Sequence, residues 1–293
     1  MAGETGLIKK EDLARAREVE FVEMFGYSIK KLMEALGVTR KIPKVAGTVL
    51  KTYKASGTLE DGKVGEGELI PLSHYTVEAV SYKEIELKKW RKATSAEAII
   101  EKGYDQAVEM TTDALLRDVQ KGIRKDFFTF LATGTGTASG ATFQKAIAQA
   151  WGQLQVKFED DEIEAVYFMN PLTTESVVGE PIYLGDATII TQNAFGMSYV
   201  ENFLGLGTVI FNSSVTKGKI YATAKQNLVL YYIPVNGADL SEAFTFTSDA
   251  TGLIGIHEAP DYPHMTAEDV VASGLTLFAE RIDGVIISSI VGA

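Results

Sequence analysis

The sequence predicts an α+β fold that carries one long extended loop, on the basis of three observations. Residues 51–92 form two extended runs that meet at a Gly- and acid-rich tip. Residues 104–131 carry an apolar stripe at three- and four-residue spacing, which is typical of a long helix. After residue 140, short helical and extended patterns alternate, which indicates a sheet covered by helices.

The first predicted element is a helix over residues 11–36. Its opposite face is charged, and Gly37 follows as a stop. The apolar residues recur every three or four positions: Val19, Val22, Phe25, Ile29, Leu32 and Leu36.

The second element, the extended loop over residues 51–92, cannot be stable alone. Its return run has a mostly apolar face at period two, formed by Tyr75, Val77, Ala79, Ile85 and Leu87. An isolated two-stranded ribbon is marginal in water, and ordering each residue costs roughly 1–2 kcal/mol of backbone entropy. We therefore expect the loop to lie on another copy of the same chain.

This expectation defines the candidate site, which is a subunit interface rather than a catalytic centre. Charged residues at the tip are predicted to select the partner, and apolar residues of the return run are predicted to supply contact area. The charged set is Glu60, Asp61, Lys63, Glu66 and Glu68. The apolar set is Tyr75, Val77, Ile85 and Leu87.

The remaining elements follow in order. The long helix would span roughly 40 Å and ends in a Gly- and Thr-rich stretch, residues 133–140, which predicts a flexible connector between domains. Beyond it we predict a helix over 141–156, one or two helical turns over 171–178 and a short helix over 266–273. Strands are predicted over residues 165–169, 187–191, 208–212, 219–224, 227–233, 244–247 and 253–257, and the apolar runs 275–281 and 284–291 predict a hairpin turning at Asp283-Gly284.

The composition excludes several classes of protein. The chain has no cysteine, so disulfides and thiolate metal sites are excluded. No apolar run reaches the roughly 18 residues that a membrane helix needs. The net charge of −11 argues against a dedicated nucleic-acid reader.

The charge is unevenly distributed along the chain. Residues 1–133 carry 22 basic and 21 acidic side chains, whereas residues 134–293 carry 6 and 18. One interpretation is two solvated surfaces of different composition. The other is that the near-neutral part can lie close to a polyanion and the acidic part cannot.

No pattern predicts catalytic, cofactor-binding or metal-binding residues. The glycines at 134, 136 and 140 follow a helix rather than a strand and lack the Gly-Lys-Ser/Thr of a phosphate loop. His257 and His264 lie seven residues apart in a Pro-rich segment, which gives no defined ligand face. The acidic run 159–162 lacks the spacing of a calcium loop and is typical of a solvated turn.

The order of elements resembles the major capsid proteins of tailed bacteriophages, which have the Hong Kong 97-like fold. Four stretches carry the resemblance and are similar to capsid proteins from phages of Gram-positive hosts. They are residues 50–72 (LKTYKASGTLEDGKVGEGELIPL), 90–97 (WRKATSAE), 112–140 and 273–290 (SGLTLFAERIDGVIISSI).

The resemblance implies a division of the chain and a function. Residues 1–50 would be an N-terminal arm, 51–92 the extended loop laid across a neighbour, and 93–140 a peripheral domain with a spine helix. Residues 141–240 would be an axial domain, and 241–293 would return to the peripheral domain. Copies would form pentamers and hexamers in an icosahedral shell around double-stranded DNA, as part of a virion assembled in the host cytoplasm.

The resemblance also implies partners and leaves two alternatives. Only 50 residues precede the loop, too few for a built-in scaffolding segment. A separate scaffolding protein and a portal are therefore the expected partners, with non-specific contact to DNA and none to a membrane. The first alternative is a bacterial encapsulin, which has the same fold and encloses a cargo enzyme. The second is a soluble α/β enzyme with an unrecognised site, which predicts a deep polar cavity and a group with a shifted pKa.

Overall fold

A computed structural model describes residues 10–65, 67–158, 163–176 and 191–291. Across these ranges no helix is long and apolar enough to span a bilayer. The α-helices there, α1 to α5, are Lys10–Leu36, Ala96–Lys102, Met110–Leu131, Phe143–Lys157 and Ala238–Ser241. Shorter helical segments are a π-helical turn at Asp105–Glu109 and 3-10 turns at Pro171–Ser176, Phe203–Gly205, Lys225–Asn227 and Ile282–Gly284.

The strands of the described residues form four sheets. Strands β1 to β8 are Lys41–Pro43, Val49–Thr58, His74–Glu84, Lys88–Ser95, Gly136–Gly140, Ala165–Met169, Thr191–Ala194 and Met197–Val200. Strands β9 to β16 are Gly207–Phe211, Lys219–Ala224, Leu228–Tyr232, Thr247–Ser248, Gly255–Asp261, Thr266–Ser273, Thr276–Ala279 and Val285–Ile290. Their orders are β1-β11-β15, β5-β16-β10-β6-β9-β8-β7, β12-β13-β14-β4 and β2-β3.

Helix α1 confirms the predicted N-terminal helix. It buries Phe25, Ile29 and Leu36 in the main hydrophobic core, whereas Val19 is exposed and lies outside the packed stripe. It ends before Gly37, which has φ +64°, a left-handed conformation that glycine adopts without strain. The helix is therefore a packed part of the subunit.

The seven-stranded sheet has cores on both faces. Along β6, Val166 and Phe168 point into the core formed with α1 and α3, and Tyr167 and Met169 point into the core formed with α4. The period of two gives each face of a central strand its own apolar layer. This sheet and its helices account for most of the buried core of the subunit.

The long helix is also as predicted. Helix α3 continues directly from the π-helical turn, so the helical stretch runs from Asp105 to Leu131. Val119, Ile123 and Phe127 are buried along one side of it. The spacing of these residues explains why the sequence pattern located the helix correctly.

The stretch predicted as a flexible connector is in fact a strand. Residues of β5 pair in parallel with β16, from Gly136 against Ile286 to Gly140 against Ile290. A Cβ atom on Gly140 would lie 2.3 Å from the backbone nitrogen of Ala146. The glycine is there because α4 approaches the strand closely, and not because the chain is flexible.

Two further predictions near the C-terminal end are wrong. Residues predicted as a helix form β14, which pairs with β13 on one side and β4 on the other. Pairing on both edges outweighs the helix propensity of Ala267 and Glu268. The predicted hairpin is also absent, because β15 pairs with β11 and β16 pairs with β10 in another sheet.

The other predicted strands agree to within a few residues. Strands β6, β9, β10 and β11 match their predicted ranges, and β13 extends further than expected. Residues 244–246 are not part of a strand, and β12 is only two residues long. The predicted strand over 187–191 falls almost entirely outside the described residues.

The predicted extended loop is divided between two sheets. Strands β2 and β3 form an antiparallel hairpin, with Val49 facing Glu84 and Thr58 facing His74. The register shifts by one residue between Thr52 and Tyr53. Strand β4, which the prediction placed in the loop, pairs along its whole length with β14, so the hairpin ends at β3.

Candidate subunit-contact surface

The base of the hairpin β2–β3 is fixed within its own subunit. Leu50 and Ile85 are buried in the main core. The backbone N–H of Gly47 donates to the Ile85 carbonyl at 3.0 Å, and the Ile85 N–H donates to the Thr48 carbonyl at 3.0 Å. These contacts set the direction in which the rest of the hairpin leaves the body.

This packing corrects the expected role of Ile85. The side chain of Ile85 has no exposed surface, because the residue lies where the hairpin enters the body. Ile85 therefore has no area left to contact a neighbour, contrary to the expectation. Leu87 packs against the same core but is only partly buried, so its contact with a neighbour stays a prediction.

The distal half of the hairpin is, by contrast, apolar and exposed. Leu69 and Leu72 are 93% and 90% exposed. The full set, here called the distal apolar surface, is Leu59, Leu69, Ile70, Leu72, Tyr75 and Val77. Large exposed apolar patches mark interaction sites in soluble proteins, and six exposed apolar side chains on one hairpin are a candidate for such a site. Tyr75 and Val77 are exposed, and their contact with a neighbour stays a prediction.

Four members of this surface were missed by the sequence reasoning. Leu69, Ile70 and Leu72 directly follow the acidic tip, and Leu59 directly precedes it. The alternation of apolar and polar residues begins only at Tyr75, and the run before it is irregular, so it gave no strand pattern. An apolar cluster beside a Gly-rich turn was the pattern that could have identified it.

Several charged residues at the tip hold the tip in shape. The Asp61 carboxylate accepts a hydrogen bond from the Lys63 N–H at 3.0 Å. The Glu68 carboxylate accepts one from the Gly65 N–H at 3.0 Å. Such side-chain to backbone bonds stabilise turns. Asp61 and Glu68 thus have a local structural task besides the partner selection that the sequence suggested.

Of the other charged tip residues, one closes the turn, one is exposed and one is not described. The Glu60 N–H donates to the Ser73 hydroxyl at 3.1 Å, which closes the tip across the hairpin. The Lys63 side chain is exposed. Glu66 lies outside the described residues. The tip is therefore an ordered polar turn set on an apolar stem.

Helix α1 is attached to the body through buried charged groups. The Arg17 guanidinium donates to the Glu258 carboxylate on β13 and lies 4.9 Å from the centre of the Tyr104 ring. The Glu18 carboxylate accepts a hydrogen bond from the Glu258 N–H at 2.6 Å. A single helical turn of α1 thus contacts both the four-stranded sheet and the start of the long helical stretch.

The Glu258 carboxyl has an unusual acidity. Burial raises the pKa of Glu258 to about 7, and the negative charges of Asp269 and Glu18 act in the same direction. Arg17 lowers it, but Glu258 Oε1 and Arg17 Nη1 are both buried without a hydrogen-bond partner. The ion pair is therefore only partly satisfied, and burial prevails.

A second buried group ties β4 to the long helix. Lys92 Nζ lies 2.6 Å from the Asp269 carboxylate and donates to the Thr112 hydroxyl at 2.7 Å. The Thr112 hydroxyl donates to Asp269 at 2.9 Å. Lys92, which the prediction placed in the extended loop, is thus part of the structured body.

The structure brings together none of the metal-binding candidates weighed from the sequence. His264 Nδ1 lies 2.6 Å from the Asp261 carboxylate in an exposed turn, and His257 projects from β13. Within the described ranges, no group of three or more His, Asp or Glu side chains could hold a metal ion. The acidic run 159–162 lies outside those ranges.

Comparison with solved structures gives extensive matches. The cyanophage A-1(L) capsid matches with a TM-score of 0.53 at 13% identity, over 90% of this chain and 93% of that one. The Mycobacterium phage Patience structure matches with a TM-score of 0.52 at 11% identity, over 100% and 95%. The encapsulin of the holo-SrpI complex from Synechococcus elongatus matches with a TM-score of 0.50 at 12% identity, over 86% and 85%.

This chain has the Hong Kong 97-like fold. The predicted α+β architecture, with its extended hairpin and its long helix, is confirmed. No family model matches the sequence, and no curated protein matches it either. At identities of 11–13%, the Hong Kong 97-like likeness is one of backbone architecture.

Proposed function

We propose that this chain is a major capsid protein of a tailed bacteriophage, and that its copies form pentamers and hexamers in an icosahedral shell around double-stranded DNA. The observation that carries the proposal is the distal apolar surface of the hairpin β2–β3. An exposed surface of this kind on a two-stranded ribbon requires a partner. The fold shared with the cyanophage A-1(L) capsid supports the choice of partner, a second copy of the chain.

The dimensions of the hairpin suit such a contact. The ten residues of β2 extend about 33 Å at roughly 3.3 Å per residue. A contact in which one copy's hairpin lies on a different part of the next copy is heterologous, and heterologous contacts close into rings. Stable protein contacts bury more than about 1,000 Å², which the hairpin would share with the body of its neighbour.

The domain division follows the sheets in this proposal. The four-stranded sheet and α3 would form the peripheral domain, and the seven-stranded sheet would form the axial domain. Strand β16 pairs with β10, so part of the segment 241–293 would belong to the axial domain. The arm of residues 1–50 would lie on the peripheral side, because α1 contacts β13.

Charge and context assign the remaining partners. The near-neutral part, residues 1–133, would face the packaged DNA and contact it non-specifically, and the more acidic remainder would face outward or line the centre of the capsomer. A separate scaffolding protein and a portal would act during assembly in the host cytoplasm, before the protein resides in the virion. In this role the chain acts by self-association and not by catalysis.

Deleting residues 60–67 tests the role of the tip, and the triple substitution Leu69→Ser, Ile70→Ser and Leu72→Ser tests the distal apolar surface. A matched control is Val156→Ser, which removes an exposed apolar side chain from α4. Particles are counted by negative-stain electron microscopy. We expect uniform spherical shells, or free five- and six-membered rings, from the wild type and the control, and few or none from the two hairpin variants.

Normal shells from both hairpin variants would refute the role of the hairpin. A wild-type protein that remains a monomer at high concentration would instead support the alternative of a soluble enzyme. The match to the encapsulin structure supports the encapsulin alternative no better than the phage capsids support the main proposal, and the alternative makes a different prediction. After nuclease treatment, a phage capsid protects double-stranded DNA, whereas an encapsulin retains a protein cargo.

A further inference from the structure

A cavity of about 470 Å³ lies between α3, the turn joining β7 to β8, and the segment after β9. Helix α3 contributes Lys121 and Arg124 to its lining. The opposite wall includes Ser198, Ser213 and Ser214. Among the described residues, no Asp or Glu lines this cavity, although the chain as a whole carries a net charge of −11.

Arg124 is held in place without a counter-charge. Its guanidinium donates to the carbonyl of Phe195 and lies 5.7 Å from the centre of that ring. Burial lowers the pKa of Arg124, and no carboxylate among the described residues forms an ion pair with it. A half-buried cation of this kind is stabilised by any anion that enters the cavity.

The backbone opposite Arg124 is shaped around the guanidinium. Gly196 has φ +70°, and a Cβ atom there would lie 2.6 Å from Arg124 Nη1. Phe195, the residue that accepts the Arg124 hydrogen bond, also has a positive φ, +48°. A side chain at position 196 would displace the cation, so this turn keeps the guanidinium at the cavity wall.

The remaining lining groups complete a set suited to phosphate. Lys121 precedes Arg124 by three residues, so both side chains lie on the same side of α3. Lys121 forms no ion pair with a described residue. The hydroxyls of Ser213 and Ser214 are exposed on the facing wall. Two cations and the two hydroxyl donors of Ser213 and Ser214, with no acid among the described lining residues, match the acceptor oxygens of a phosphate.

We propose that this cavity binds a phosphate group between Lys121 and Arg124. The phosphate has two possible sources, free inorganic phosphate and the backbone of a nucleic acid. Only the second source rests on the proposed function, because only a shell that encloses DNA would present a phosphate backbone to this surface.

The test titrates the full-length protein at low salt with inorganic phosphate by isothermal calorimetry, and with a short DNA duplex by fluorescence anisotropy. The variants are Lys121→Gln and Arg124→Gln. The matched control is Lys125→Gln, an exposed lysine on the same helix that does not line the cavity. Each charge-assisted hydrogen bond lost should weaken phosphate binding about tenfold.

We expect saturable phosphate binding that Lys121→Gln and Arg124→Gln weaken and Lys125→Gln does not. If Arg124→Gln unfolds, Lys121→Gln decides the matter, because Lys121 is exposed and forms no ion pair within the part of the chain that the structure describes. Competition between duplex and phosphate would identify the nucleic-acid backbone as a source. Equal duplex affinity in all variants would leave inorganic phosphate as the source.

Absence of saturable phosphate binding would overturn the inference, as would equal losses in Lys121→Gln and Lys125→Gln. Particle formation by the same variants, observed by electron microscopy, keeps this result separate from the proposed function. Shells that form normally from a protein without phosphate binding would leave the capsid proposal intact. Binding without shells would count against the capsid proposal alone.

Discussion

The seven-stranded sheet and the hairpin β2–β3 treat their apolar side chains in opposite ways. The sheet buries them on both faces, so that Phe168 on one face and Tyr167 on the other have no exposed surface. The hairpin buries Leu50 and Ile85 at its base and leaves Leu69 and Leu72 in solvent. One region is complete within a single chain, and the other is complete only with a partner.

The difference shows how one chain can fold alone and still assemble. Burial of apolar area contributes roughly 25 cal/mol per Å², and the sheet realises this contribution within the subunit. The distal apolar surface stays exposed in the free subunit, so its area can be buried only on association. Substitutions in the two regions should therefore change different observables, stability in one and assembly in the other.

The largest expected effect on stability is in the sheet. The Phe168 ring lies 5.5 Å from that of Phe127 and 5.4 Å from that of Phe128. Phe168→Ala should lower the free energy of unfolding of the unassembled subunit by about 3–5 kcal/mol, through lost burial and a cavity. Denaturant titration measures the change.

The matched variant in the hairpin is Leu69→Ala. Because Leu69 is 93% exposed, the substitution should change the free energy of unfolding of the unassembled subunit by less than about 0.5 kcal/mol. A loss comparable to that of Phe168→Ala would mean that the hairpin packs on its own subunit, and the comparison would fail.

The boundary between the two behaviours can be located along the hairpin itself. Ile85→Ala, at the base, should cost about 2–5 kcal/mol of stability, whereas Leu72→Ala, near the tip, should cost almost none. Denaturant midpoints for both variants are measured on dissociated protein. If Ile85→Ala had the same midpoint as Leu72→Ala and neither lost stability, the boundary between the buried and the exposed part would lie nearer the body than the structure indicates.

Helix α1 is intermediate between the sheet and the hairpin. It is packed within the subunit, but its attachment depends on buried charged groups. The pKa of Glu258 in the folded protein, about 7, lies above its ordinary value of 4.5. The neutral acid therefore stabilises the fold fully below pH 4.5, and this contribution is lost as the pH rises through 7. Above pH 7 the ionised group is a cost to the folded state.

Glu258→Gln should remove this dependence. The stability of the variant relative to the wild type should shift in favour of the variant by up to about 3 kcal/mol between pH 4.5 and pH 8. Unfolding free energies across that range test it. Glu97→Gln, the same substitution at an exposed glutamate of α2, is the control, and a parallel profile for wild type and Glu258→Gln would contradict the assignment.

The smallest expected effect is on the rigidity of the turn at the tip of the hairpin. Asp61→Ala removes the acceptor for the Lys63 N–H and should speed hydrogen exchange of that amide by about fivefold, the equivalent of roughly 1 kcal/mol. Lys63→Ala keeps the acceptor and should leave the rate nearly unchanged. Equal rates in both variants would show that the turn is held by its backbone alone.

The parts of the fold that were predictable are those with local patterns. Helix α1 and helix α3 follow from the spacing of their own apolar residues, and β10 was located to the residue. Strand β14 was not, because its local pattern favours a helix and is outweighed by pairing with β13 on one edge and with β4, more than 150 positions away in the chain, on the other. The strand at Gly136–Gly140 was mistaken for a linker. The sequence alone does not distinguish a glycine required by close packing from a glycine in a flexible linker.

The candidate site was predictable to a similar extent. Charge and period-two alternation indicated the tip, Tyr75 and Val77. They also included Ile85, because apolar residues return at odd positions after Ser81 and Lys83, past the point where the hairpin enters the core. Only the tertiary structure separates the buried end of that stripe from the exposed one.

The one-residue register shift in the hairpin has a consequence for variation among related proteins. Between Thr52 and Tyr53 the facing strand contains one residue without a partner, Val80, and an extra residue bends and twists a strand. Loss or gain of a single codon at this point would redirect everything beyond it while the buried base stays unchanged. A lineage could thus alter the angle between joined molecules in small inherited steps, without redesigning either of the two cores.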